Sequence, residues 1–123
     1  MTVLLVLLGG AVGAPLRYLT DLFVQSRHDS VFPWGTFSVN IVGSLILGIV
    51  AGAVSTGAAP GWALTLVGTG FCGALTTFST FGYETVRLLE EGSLLEAGLN
   101  ISASLAVGLA ACVGGWALTA ALV

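Results

Sequence analysis

The stretch G-F-C-G-A-L-T-T-F-S-T-F-G-Y-E, from Gly70 to Glu84, lies inside an apolar run where a continuous helix would otherwise be expected. It holds Gly70, Gly73 and the hydroxyl residues Thr76, Thr77, Ser79 and Thr80 within eleven positions. Glycine weakens a helix, and short hydroxyl side chains offer its backbone competing hydrogen bonds. The pattern predicts an interruption around Cys72 to Thr76. In hydrocarbon every peptide N–H and C=O must find a partner, so an interruption persists only where the freed groups are buried in protein or line a hydrated path. An interrupted helix also presents carbonyl oxygens from its first half and N–H groups from its second, a cation site beside an anion site. The first expectation is therefore an ion pathway.

Outward from this stretch, the composition excludes a soluble globular domain. Of 123 residues, 56% are hydrophobic and only 7% are charged, and the mean hydropathy is +1.05, well outside the usual soluble range. A spanning helix takes about 20 apolar residues, so four spans with short loops use the whole length. We expect an all-α membrane protein with one domain over residues 1–123 and spans at about 2–23, 33–54, 61–89 and 97–122. Four short helices enclose a pore poorly, and the two halves show no internal repeat, so a second copy of the chain is expected to supply the missing wall. Six acids stand against three arginines, with no lysine, which disfavours nucleic acid or an anionic lipid surface as a partner. Cys72 and Cys112 fall in spans and read as small apolar residues rather than a disulfide. The N-terminal run has no basic flank and no cleavage site, so we expect no signal peptide and Met1 as the mature start.

Each span carries a small or polar stripe at intervals of four residues, which is one face of a helix. In the first span these are Gly9, Gly13, Arg17 and Asp21. Gly9 and Gly13 would admit another helix closely, Arg17 could pair with Asp21 one turn on or snorkel to the interface, and Pro15 should kink the helix or loosen one bond. The first loop contains Arg27, His28 and Asp29, and the single histidine lacks companions for a metal site. The second span opens with Pro33 and an interfacial Trp34 and steps through Thr36, Asn40, Ser44, Gly48 and Gly52. A carboxamide such as Asn40 must be paired in hydrocarbon, either as a bond between helices or as an uncharged donor to an anion. The fourth span repeats the spacing with Asn100, Ser104, Gly108 and Cys112.

Beyond the interruption, helical geometry sets Phe78, Phe81 and Thr85 within about 60° of one another, beside a face carrying Ser79, Thr76, Tyr83, Thr80 and Glu84. Singly, these rings can be packing and these hydroxyls can bond to carbonyls one turn back. As a set beside an interruption they form a pathway wall. Its polar groups, Asn40, Thr76, Thr77, Ser79, Thr80, Asn100 and Ser104, are neutral, and conduction needs sites weak enough to leave. Ring edges are the positive part of the aromatic quadrupole, so an anion is favoured over a cation. Glu84 is roughly 12 Å beyond the interruption along the helix, and no acid or histidine stands mid-span, which favours passive flow over proton coupling.

With Arg17 in G-A-P-L-R-Y, Asn40 in G-T-F-S-V-N-I-V-G and the run G-F-C-G-A-L-T-T-F-S-T-F, the chain closely resembles the Fluc, or CrcB, family of fluoride channels. The motifs occur in the family's order and, with the fourth span, cover nearly the whole chain. The resemblance implies a four-helix subunit whose third helix is broken, forming an antiparallel, dual-topology homodimer with two fluoride pathways. It implies passive, electrogenic export of fluoride across the plasma membrane, the bacterial inner membrane, protecting the cell from fluoride. It assigns Phe78 and Phe81 to the paired pathway rings, Asn40 to the pathway asparagine, Ser79 and Thr80 to the hydroxyl track, with Thr77 and Ser104 beside it, and Thr36 to the entrance. It also implies a structural sodium ion at the dimer centre, held by the backbone carbonyls of Gly73 and Ala74. Arg17, Gly70 and Thr76 are left structural roles. Where some members carry a tyrosine in the fourth helix, this chain has Asn100.

Arg17, Arg27 and Arg87 all fall on the side of the first and third loops, a bias toward one orientation. Only Arg27 is clearly in a loop, so insertion in both orientations is the expectation. A small multidrug exporter has a similar length but needs an embedded glutamate in its first span, which this chain lacks. A non-transporting scaffold would account for the glycine stripes and leave T-T-F-S-T-F unexplained. An enzyme is not expected, because no nucleophile and base, paired carboxylates or metal cluster can be assembled.

Overall fold

The computed structural model describes residues 1–27 and 32–122, so His28 and Asp29 lie outside the described residues. All regular elements among the described residues are helical: α1 (Thr2–Arg27), α2 (Trp34–Ser55), α3 (Gly61–Ala63), a π-helical segment π1 (Leu64–Cys72), α4 (Gly73–Leu75), α5 (Ser79–Glu90) and α6 (Leu94–Leu122). Four stretches among them are long and apolar enough to cross a membrane: α1, α2, the composite Gly61–Glu90, and α6. The chain is a multi-pass membrane protein. α1 continues to Arg27 and α6 starts at Leu94, because amide pairing continues into the interface after the apolar run ends. Pro15 lies within α1 without ending it.

α2 packs chiefly on α6, while α1 lies against π1 and α4. Both contacts depend on the four-step glycines. A Cβ at Gly9 would collide with the Leu66 carbonyl, and one at Gly13 with that of Phe71, so α1 approaches the wider π turns at backbone distance. A Cβ at Gly48 would likewise strike the Cys112 carbonyl across the α2–α6 contact.

The buried core is small, with Val39, Cys72, Leu75, Leu88 and Ala97 as its apolar members. Thr36, Thr85 and Asn100 are buried polar residues. Leucines and valines along α1, α2 and α6 face outward, the reverse of a soluble bundle and the arrangement expected when lipid is the solvent.

Candidate functional site

Between α4 and α5 the chain leaves helical geometry over residues 76–78, with Thr76 extended at φ −80° and ψ 163°. The sequence reading centred the interruption on Cys72 to Thr76; in the structure Cys72 ends π1 and Leu75 is still helical. The reason is at Thr76, whose N–H and hydroxyl both donate to the Cys72 carbonyl, at 2.9 and 2.8 Å, closing the last turn. The next peptide is held from another helix. The Thr77 N–H donates to Asn40 Oδ1 at 2.8 Å, and Asn40 Nδ2 donates to the Thr77 carbonyl at 3.0 Å. Asn40 therefore serves Thr77 as a helical turn would. Its Nδ2 carries two hydrogens, so one remains after the bond to Thr77.

Because Thr77 N–H is directed to Asn40, it does not close a turn onto Gly73. Among the described residues no backbone N–H outside the helices bonds to the Gly73 or Ala74 carbonyl. Gly73 is exposed, with open space where a Cβ would stand. Gly70, by contrast, is buried against Val6 of α1, whose carbonyl would lie 2.9 Å from an added Cβ.

Beside the interruption is a groove of about 330 Å³ whose wall includes Asn40, Thr76, Thr77, Phe78, Phe81 and Ser104. The two rings lie 5.9 Å apart between centroids and are inclined at 43°. Phe78 is 82% exposed, whereas Phe81 is half-buried. A second hollow of about 160 Å³ is bordered by Arg17, Asp21, Thr36, Thr77 and Thr80. Thr77 is common to both. Its hydroxyl accepts the Thr80 N–H at 3.2 Å, donates to the Thr80 hydroxyl at 3.2 Å and stands 3.5 Å from Ser79. Ser79 is exposed and borders neither hollow.

The structure thus gathers Asn40, Thr77, Phe78, Phe81 and Ser104 on one groove and sets Thr36 and Thr80 in the neighbouring hollow. Thr36 is buried and donates to Glu84 Oε1 at 2.5 Å, so its hydrogen is directed to α5. Arg17 does not pair with Asp21. Among the described residues the only ion pair joins Arg87 to Glu91, at 3.6 Å on an exposed turn, and the Asp21 carboxylate instead packs against Gly35, where a Cβ would collide with Oδ1. Asn100, grouped with the pathway donors by its spacing, does not border the groove; it is wholly buried and donates to Thr85 at 2.8 Å. The ties from Thr36 to Glu84 and from Asn100 to Thr85 were not anticipated. Their signal was a polar side chain in a span with no partner on its own helix, which announces a bond but not its acceptor. No cluster of three histidine, cysteine or acidic side chains able to hold a metal occurs among the described residues.

The wall is therefore neutral, held at backbone precision by one asparagine, and built from segments of the second, third and fourth spans. Known proteins are similar to this chain over nearly its whole length. The profile of the CrcB-like proteins (Camphor Resistance, CrcB) matches residues 4–116. A protein of Frankia casuarinae named fluoride-specific ion channel FluC 1 is 55% identical over 127 aligned residues, covering 99% of this chain and 98% of its own. One of Streptomyces avermitilis with the same name is 56% identical, covering 94% and 93%, and one of Nocardia farcinica is 53% identical, covering 97% and 81%. A match that takes in the interruption, Asn40 and all four spans places the chain in the CrcB, or Fluc, family.

Proposed function

We propose that this protein is a fluoride-selective channel through which fluoride leaves the cell passively, across the bacterial inner membrane, carrying its charge with it. The observation that carries the reading is the groove beside residues 76–78, where two phenyl rings and neutral donors border one hollow, in a chain whose relatives are named fluoride-specific ion channels. It is a transporter and not an enzyme.

Fluoride is small and strongly hydrated, so a path must replace its water with donors that do not trap it. Asn40 offers its second N–H, and Thr77 and Ser104 on the groove and Thr80 at the neighbouring hollow offer hydroxyls that can turn between a protein acceptor and a passing ion, with Ser79 continuing the hydroxyl track beside Thr77. Phe78 and Phe81 present polarised edges, which attract an anion without a formal charge and so let it go. Thr36 and Arg17 stand at the neighbouring hollow, which we take as the entrance. A fixed cation at the narrowest point would bind fluoride too firmly for flow.

The unit of function is an antiparallel pair of identical four-helix subunits inserted in both orientations. The exposure of Phe78 and the open side of the groove support it, because a ring left to lipid on one side cannot enclose an ion. The carbonyls of Gly73 and Ala74 suit a structural sodium ion at the pair's centre. They are oxygen donors of the kind a hard cation prefers, and two from each subunit would give four. Such an ion would neutralise and join the two interruptions, and no step of permeation passes through it.

The test is efflux from liposomes loaded with potassium fluoride, started with valinomycin and followed with a fluoride electrode beside a potassium chloride set. Rapid loss of fluoride with chloride retained is expected. Folded, dimeric protein that releases neither ion would rule the channel out.

A further inference from the structure

Asn100 is the most deeply buried polar side chain described, at 0% exposure, and its bonds form a line. Ser104 Oγ donates to Asn100 Oδ1 at 3.4 Å, Asn100 Nδ2 donates to Thr85 Oγ1 at 2.8 Å, and Thr85 Oγ1 donates to the Phe81 carbonyl at 2.8 Å. The direction is forced. Nδ2 carries only hydrogens and a carbonyl only accepts, so the single Thr85 hydrogen must point at Phe81. Both ends of the line, Ser104 and Phe81, border the groove, whereas Asn100 and Thr85 stand behind it. The two ends also differ in strength. At 2.8 Å the bond to the carbonyl is well made, while 3.4 Å lies at the outer limit for a hydroxyl donor.

We propose that Asn100 is the positioning residue of the groove's α5–α6 wall, fixing the Phe81 backbone through Thr85 while holding the Ser104 hydrogen loosely enough for an anion in the groove to take it. This rests on the reading of the groove as an anion path. Bonds in a chain polarise one another, so the Asn100 donor strengthens the Thr85 bond to Phe81, and the turn that carries the Phe81 ring is tied to α6. A residue that merely filled space could be replaced by leucine, which has the same branching and number of side-chain heavy atoms and no polar atoms.

Phe81–Gly82 is the only Phe–Gly pair in the sequence, so carbonyl-¹³C phenylalanine with ¹⁵N glycine gives one directly bonded signal that reports the Phe81 carbonyl in liposomes. Thr85→Val, which keeps the shape and removes the hydroxyl, should move that signal upfield, and Asn100→Leu should move it part of the way. Thr85→Ser should restore it. Fluoride efflux should follow the same order, falling roughly fivefold in Thr85→Val, the equivalent of one hydrogen bond, and recovering in Thr85→Ser. Wild-type values of either the signal or the efflux in Asn100→Leu would overturn the proposal. If Asn100→Leu does not fold, Thr85→Val against Thr85→Ser decides in its place, equal signals or equal efflux being the overturning result. Wild-type protein that passes no fluoride would overturn the channel reading alone, and the carbonyl signal would still decide whether the line of bonds exists.

Discussion

Thr77 and Asn40 show how one side chain can stand in for secondary structure. A peptide group outside a helix at membrane depth must be paired, and the carboxamide of Asn40, with a donor and an acceptor side by side, matches a peptide bond. Replacing it with alanine removes both bonds and leaves an N–H and a carbonyl without partners. Asn40→Ala should therefore lower stability by about 2–3 kcal/mol, read as an earlier loss of the folded peak on heating in detergent before size-exclusion chromatography. An unchanged melting profile would mean that Asn40 does not hold residues 76–78. At Phe81, isoleucine keeps much of the volume and loses the ring edge. Phe81→Ile should fold and reduce fluoride efflux by roughly fivefold, the scale of an aromatic contact, and normal conduction would remove the rings from the mechanism.

Among elements, α1 and π1 approach closely, backbone meeting backbone at Gly9 and Gly13. Neighbouring glycines separate close packing from helix propensity. At Gly9 an added methyl group meets the Leu66 carbonyl, whereas at Gly10 its nearest neighbour is the Ala74 methyl, 3.8 Å away, an ordinary contact. Gly9→Ala should cost about 1–3 kcal/mol through overpacking, and Gly10→Ala should be neutral or stabilising by about 0.5–1 kcal/mol because alanine loses less backbone freedom. Thermal melts of the two variants side by side check this, and equal stabilities would show that α1 has room to move away from π1. The α2–α5 tie from Thr36 to Glu84 acts at the same scale, joining the start of the second span to the second half of the third.

In the molecule as a whole, so little side-chain surface is buried that lipid or another copy must cover the rest. The proposed antiparallel pair requires both orientations in one membrane. Ala58 lies exposed in the turn after α2, and an Ala58→Cys variant treated with an impermeant maleimide should label to about half in intact cells and fully after permeabilisation, since the loops carry few charges to bias insertion. Labelling of all molecules, or of none, before permeabilisation would exclude the antiparallel arrangement.

Composition alone sufficed for a membrane protein of four helices, because a bilayer accepts few other solutions for a chain this apolar. The four-step stripes likewise identified which faces meet, since side-chain periodicity is a local property of a helix. The cluster T-T-F-S-T-F lies beside the groove that the structure forms at residues 76–78. What no local pattern contains is the partner of each polar group. That residues 76–78 leave the helix depends on Asn40, 37 positions earlier; that Thr36 is bonded to Glu84 depends on how α2 lies beside α5; and that Asn100 stands behind the groove rather than on it depends on its depth against Thr85. The π turns of Leu64–Cys72 left no mark in the residue pattern. These features are set where helices distant in sequence meet, because in hydrocarbon each polar atom bonds to whichever partner the packing brings within reach.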